Sequence, residues 1–190
     1  MKTALIIVDV QNDFCPGGAL PVPCGDQVVP VLNRLLIKVK QVNMLVIATR
    51  DWHPEDHCSF KSQGGPWPAH CVAGTPGADF HHILYRAYID HVVSKATARD
   101  RETYSGFRGT GLAELLRVLG VSKVIIGGLA TDYCVKATAL DARRNGFRVY
   151  LILDACRAVN INPGDGDKAV EEMKAAGVQV VSTEAPSWGE

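Results

Sequence analysis

The sequence predicts an α/β fold, a three-layer α/β/α sandwich built on a mainly parallel sheet. Two observations carry this. Short apolar runs rich in β-branched residues recur along the chain, and helical stretches separate them. The runs are apolar throughout rather than alternating, as expected of parallel strands covered on both faces. The resulting βαβ rhythm implies right-handed crossovers.

In chain order, Ala4–Val8 reads as the first strand and Gln11–Gly25 as a Pro/Gly loop. A helical stretch at Asp26–Gln41 leads to a strand at Met44–Thr49. Trp52–His82 is a long, mostly structureless connection carrying His53, His57, His70 and His81, with His82 at its edge. A loop of that length inside a compact domain is usually functional. A strand at His91–Ser94 and a helix at Gly111–Leu119 follow, then a strand at Lys123–Gly127 and a helix at Thr131–Asn145. The last pair is a strand at Arg148–Asp154 and a helix at Asp165–Ala176, before a final strand at Val178–Ser182. Gly120, Gly146 and Gly177 stand just past three of the helices, where left-handed caps belong.

At 190 residues the chain suits one domain, spanning 1–190, and is long enough to fold without disulfides or a structural metal. Twenty Lys+Arg balance twenty Asp+Glu, which argues against nucleic-acid or anionic-membrane partners. No apolar run reaches the about 18 residues of a spanning helix. Asp9 and Asp13 interrupt the apolar start, so it reads as a strand rather than a signal peptide and the protein as cytoplasmic. Six cysteines are too few for a disulfide scaffold, and Cys15, Cys24, Cys58 and Cys71 form no C-x₂-C pair. Gly109-Thr110-Gly111 fails as a dinucleotide fingerprint because Glu114 replaces the third glycine and no strand precedes it. Asp165-Gly166-Asp167 lacks calcium-loop spacing and reads as a capping turn.

Ligands of open α/β sheets bind beyond the carboxyl ends of the strands. Asp9, Asp51, Lys95 and Cys134 all fall there. With Thr131 or Asp132 as N-cap, Cys134 lies in a first helical turn, where free N–H groups and the macrodipole favour a thiolate. The competing reading is a buried structural thiol. Asp9 and Lys95 suit proton transfer to and from such a thiol. Taken singly, the competing readings are a turn-forming aspartate and a solvated lysine. In the extended stretch Asp51-Trp52-His53, residues 51 and 53 share one side, and His57 or His70 supplies a third ligand for Zn²⁺, Fe²⁺ or Mn²⁺. Surface histidines are the alternative.

Five motifs occur in order: Asp9-Val10-Gln11-Asn12-Asp13-Phe14, Asp51-Trp52-His53-Pro54, Trp67-Pro68-Ala69-His70-Cys71, Tyr104-Ser105-Gly106-Phe107 and Gly128-Leu129-Ala130-Thr131-Asp132-Tyr133-Cys134-Val135. Together they make the chain resemble the nicotinamidase/pyrazinamidase branch of the isochorismatase-like cysteine hydrolases. The resemblance implies a six-stranded, Rossmann-like order 3-2-1-4-5-6 and a triad of Asp9, Lys95 and Cys134. It implies a metal held by Asp51, His53 and His70, with His57 added in some members, and a loop around 51–82 carrying that site. It further implies an oxyanion hole from the N–H groups of Ala130 and Cys134 and a cis peptide at Leu129–Ala130. Phe14, Trp67 and Tyr104 match pocket positions. The expected reaction is conversion of nicotinamide to nicotinate and ammonia through a thioester, with pyrazinamide also cleaved. A homo-oligomer is compatible with this reading.

The alternatives are a cysteine hydrolase acting on a carbamoyl or ureido amide, and a non-catalytic metal-binding module on the same fold. Relatives often carry glycine after the triad lysine, where this chain has Ala96, so a local backbone adjustment is expected. The segment 98–103 has no counterpart in the pattern. Strand order also leaves a gap: Lys95 and Asp9 sit two strands apart, about 9.6 Å at about 4.8 Å per step, farther than a lysine reaches without help from sheet twist.

Overall fold

The computed structural model describes residues 2–184. Six strands form one sheet: β1 Lys2–Val8, β2 Leu45–Asp51, β3 His91–Lys95, β4 Val121–Leu129, β5 Arg148–Arg157 and β6 Gln179–Val181. All neighbours pair in parallel, in the order β3-β2-β1-β4-β5-β6, as expected. The helices are α1 Val28–Gln41, α2 Leu112–Val118, α3 Lys136–Arg144 and α4 Asp165–Ala175. Among the described residues no helix is long and apolar enough to cross a membrane.

The period of two along β1 divides the core. Leu5 and Ile7 pack with Val28, Leu32, Leu35 and Leu36 of α1 on one face. Ala4, Ile6 and Val8 pack on the other face with residues from α2, α3 and α4, among them Leu116, Ala139 and Met173. The layers are therefore unequal, with one helix opposite three. The connection between β2 and β3 completes the thinner layer: Cys71, Ala78, Phe80 and Leu84 are buried in the same cluster as α1. It contains only single helical turns at Lys61–Gln63, Pro76–Ala78 and Arg86–Tyr88.

Several boundaries move. Strands β4 and β5 run past their predicted ends, because their carboxyl ends stay paired through Gly128↔Cys156 and Leu129↔Arg157 after an irregularity in register. Strand β2 extends to Asp51 and β3 to Lys95, so both residues end strands rather than follow them, and they are direct register partners. The predicted helix Thr131–Asn145 is two pieces, a π-helical turn at Thr131–Val135 and then α3. Gly120, Gly146 and Gly177 have positive φ, as expected of caps.

Gly128 sets how closely β4 approaches β1. Its φ is +135°, and a Cβ there would lie 2.1 Å from the Val8 carbonyl oxygen. The glycine thus lets β4 pass the end of β1, where the chain turns into Asp9, and carries β4 on to the cis Leu129–Ala130 bond that the resemblance implies.

Candidate active site

The residues predicted from sequence converge at the carboxyl end of the sheet. Asp9 follows β1 directly with φ +49°, and its N–H donates to the Thr49 carbonyl at 3.2 Å. Lys95 is 1% exposed, and its ammonium lies 3.0 Å from Asp9 Oδ2. The same ammonium donates to Asp51 Oδ1, to the Thr103 carbonyl at 3.3 Å and to Cys134 Sγ at 3.4 Å. The two-strand gap is closed: the Lys95 ammonium lies beside both its register partner Asp51 and Asp9. A carboxylate oxygen of Asp9, one of Asp51 and Cys134 Sγ lie within 4.8 Å of one another around that cation.

Burial decides the electrostatics. It pushes the Asp9 carboxyl up despite the nearby Lys95 charge. Burial would also raise Asp51, but the Lys95 charge outweighs it and holds Asp51 below the usual carboxylate range. For Lys95 the order reverses: burial works against its charge, and Asp51, Asp9 and Cys134 hold it well above the usual lysine value.

Cys134 departs from the sequence expectation. Burial raises its thiol well above 9.0, and the Lys95 charge offsets only part of this. It lies in the π-helical turn, whose cap is Ala130 rather than Thr131 or Asp132. The Ala130 carbonyl accepts from the N–H groups of Tyr133 at 3.1 Å and Val135 at 3.0 Å. The Asp132 carboxylate instead accepts from the N–H groups of Val159 at 2.9 Å and Asn160 at 2.8 Å. It therefore pins the loop after β5 against the site.

Beside the Lys95 cluster, Asp51, His53 and His70 each turn a ligand atom to a common point, all within 4.8 Å of one another. His53 Nδ1 lies 3.2 Å from the Ala96 carbonyl and His70 Nδ1 lies 2.8 Å from the Pro68 carbonyl. Carbonyls only accept, so both Nδ1 atoms carry the proton and both Nε2 atoms present lone pairs. His53 Nε2 is buried without a hydrogen-bond partner, 3.6 Å from Asp51 Oδ2. An orphaned imidazole nitrogen, a second imidazole and a carboxylate oxygen fit a divalent transition metal with open positions. Burial lowers the His70 pKa and favours the neutral ring that such a metal needs.

His57 does not join the set. Its Nε2 faces the Arg101 carbonyl at 3.2 Å and its Nδ1 lies 2.8 Å from Ser59 Oγ. With both nitrogens engaged, the ring lies tilted against His53, centroids 4.2 Å apart, and acts as a wall. The segment without a counterpart in the sequence pattern, 98–103, supplies this carbonyl and the one that Lys95 reaches. Ala96 bears on the site through its backbone. It adopts the left-handed conformation itself, with φ +52°, and its carbonyl orients His53.

The pocket between the two clusters is lined by Phe14, Trp67, Tyr104, Tyr133, Leu20, Val22 and Val159. Asp51, His70, Ala130 and Cys134 open onto it. Trp67 Nε1 donates to the Tyr104 hydroxyl at 3.1 Å, and both rings meet Tyr133 edge-on. Sequence reasoning missed three supports. Gln11 holds Asp51 through its backbone N–H and carbonyl, both at 2.8 Å. Asp13 accepts from the Cys71 N–H at 2.7 Å, beside His70. Thr49 donates to Asp9 at 2.6 Å. Gln11 and Asp13 stand inside a quoted motif; nothing in the local sequence marks Thr49.

A family model for the isochorismatase domain matches residues 3–185. The nicotinamidase of Escherichia coli strain K12 is 44% identical, with 92% of each chain covered. Among solved structures, a pyrazinamidase of Pyrococcus horikoshii in complex with zinc superposes with a TM-score of 0.90 at 53% identity, covering 96% of this chain and 99% of that one. PnC1 of L. infantum in complex with nicotinate superposes with a TM-score of 0.89 at 39% identity, covering 97% and 94%.

Proposed function

The chain belongs to the isochorismatase domain family, and we propose that it hydrolyses nicotinamide to nicotinate and ammonia through a thioester on Cys134. The observation that supports this most is the single pocket wall shared by Cys134, Asp51, His70 and the aromatic residues. A flat heteroaromatic amide fits between the rings with its carboxamide toward sulfur.

In the first step the Cys134 thiol gives its proton to Asp9 as sulfur bonds to the carboxamide carbon. Lys95 holds Asp9 and the sulfur together and favours their charged forms. The developing oxyanion rests on the N–H groups of Ala130 and Cys134. Asp9 then passes the proton to the amide nitrogen, the C–N bond breaks and ammonia leaves. Asp9 next takes a proton from water as the water oxygen attacks the thioester. The C–S bond breaks and the proton returns to sulfur.

Asp51, His53 and His70 would hold one divalent transition metal, Zn²⁺ first, with Fe²⁺ or Mn²⁺ as alternatives. When bound, such a metal supplies an electrophilic anchor for the ring nitrogen. Trp67, Tyr104 and Phe14 hold the ring plane, and an apolar slot discriminates poorly between pyridine and pyrazine, so pyrazinamide is a second substrate. On this reading the chain serves NAD salvage in the cytoplasm.

Ammonia release from nicotinamide by the metal-loaded protein tests the proposal. Turnover with nicotinamide, and its loss in Cys134→Ala, is the expected result. Turnover of a ureido amide with nicotinamide left intact would favour the carbamoyl-hydrolase reading, and nicotinamide binding without ammonia would favour the non-catalytic one.

A further inference from the structure

Asp9 has two carboxylate oxygens in different surroundings. Oδ1 accepts a 2.6 Å hydrogen bond from the Thr49 hydroxyl, whereas Oδ2 lies 3.0 Å from the Lys95 ammonium and is left without an assigned hydrogen bond. Thr49 is fully buried. Its other branch is also fixed, because a Cβ on Gly106 would meet the Thr49 Cγ2 methyl at 2.8 Å. The Gly106 N–H is in turn held by Thr138 Oγ1 of α3 at 3.0 Å. Methyl and hydroxyl together leave the Thr49 side chain one orientation, with its O–H aimed at Asp9.

We propose that Thr49 is a positioning residue for the reaction: its hydroxyl occupies Asp9 Oδ1 and so assigns proton transfer to Oδ2. The inference deepens the proposed function and rests on Asp9 acting as the proton carrier. In the acylation step the S–H bond of Cys134 breaks and an O–H bond forms at Oδ2. That same proton goes to the departing amide nitrogen. With Oδ1 tied to a donor, the carboxylate cannot rotate and present the wrong oxygen to sulfur. The glycine in the Tyr104-Ser105-Gly106-Phe107 motif provides the flat surface on which the methyl sits.

Two substitutions separate the hydroxyl from the methyl. Thr49→Val keeps the contact with Gly106 and loses the donor. Thr49→Ser keeps the donor and loses the contact. The expected result is that Thr49→Val lowers kcat for nicotinamide about 10- to 100-fold, the worth of one hydrogen bond to a charged group, with KM unchanged. Thr49→Ser stays within a few-fold of the parent protein. If Thr49 serves packing alone, the order reverses and Thr49→Ser is the poorer enzyme; that order, or an equal loss in both, overturns the inference. Should Thr49→Val fail to fold, Thr49→Ala against Thr49→Ser makes the same comparison with the methyl absent from both.

Alkylation of Cys134 by iodoacetamide at neutral pH keeps this test separate from the substrate assignment. Failure of the nicotinamide reading shows as a parent protein that releases no ammonia. The alkylation rates still decide the role of Thr49: slowed in Thr49→Val and near parental in Thr49→Ser supports it, and equal rates in all three proteins overturn it.

Discussion

Lys95 and Asp51 form a buried ion pair in which a single carboxylate serves two clusters. Its Oδ1 accepts from the Lys95 ammonium, and its Oδ2 lies 3.6 Å from the orphaned His53 Nε2. The residue expected to hold the metal is therefore also the principal counter-charge of the lysine beside Cys134.

Asp51→Asn should consequently do more harm than the loss of another ligand. We expect metal content and kcat/KM both to fall by about 100-fold or more, without recovery in excess metal. His53→Ala, which leaves the Lys95 pair intact, should regain part of its activity as metal is raised. Metal analysis and ammonia release across a metal titration check this, and equal recovery of both variants would contradict it.

The resting thiol sets a pH prediction. Burial holds Cys134 well above 9.0 and Lys95 pulls the other way. A thiol raised in this way is protonated at neutral pH, and its thiolate grows in only as pH passes the raised value. In metal-free protein the iodoacetamide alkylation rate should therefore keep climbing beyond pH 9. Lys95→Met removes the cation that favours thiolate, so the climb should move to still higher pH. A shift to lower pH would show that Lys95 does not act on the sulfur.

How much of this was legible in the sequence depended on the kind of interaction. Strand order and both clusters followed from motifs, because the side chains that meet substrate or metal are few in type and fixed in spacing. The shared use of Asp51 was not legible. It depends on Lys95 being its register partner across β2 and β3, a pairing of residues 44 apart. Nor was the π-helical turn at Thr131–Val135: a cap was predicted from Thr131 or Asp132, but Asp132 spends its side chain on the backbone of Val159 and Asn160. His57 is a possible ligand by its loop and by the position that binds metal in some members of the family. Its two nitrogens are engaged by Ser59 and the Arg101 carbonyl, the latter from a segment that the motifs did not cover.

Gly128→Ala tests the close approach of β4 to β1. The added Cβ would overlap the Val8 carbonyl at 2.1 Å, and backbone cannot move aside as a side chain can. We expect a loss of about 3 kcal/mol or more, read as a fall in the urea midpoint. Near-parental stability would mean that the strands separate without cost.

Removal of the proposed nucleophile gives the plainest kinetic outcome. Cys134→Ala should lower kcat about 10⁴-fold or more. In the parent protein, mass spectrometry of rapidly quenched turnover should find a nicotinoyl adduct on Cys134. Robust ammonia release by the alanine variant would rule out a covalent path.

The long connection between β2 and β3 does two jobs. It carries His53 and His70 to the site, and it buries Cys71, Ala78, Phe80 and Leu84 against the face that α1 alone leaves uncovered. A descendant of this chain that lost both histidines would still have to keep most of the loop, or expose the part of the sheet face that the loop covers. Ligands can drift one by one in evolution, whereas the masonry behind them must survive.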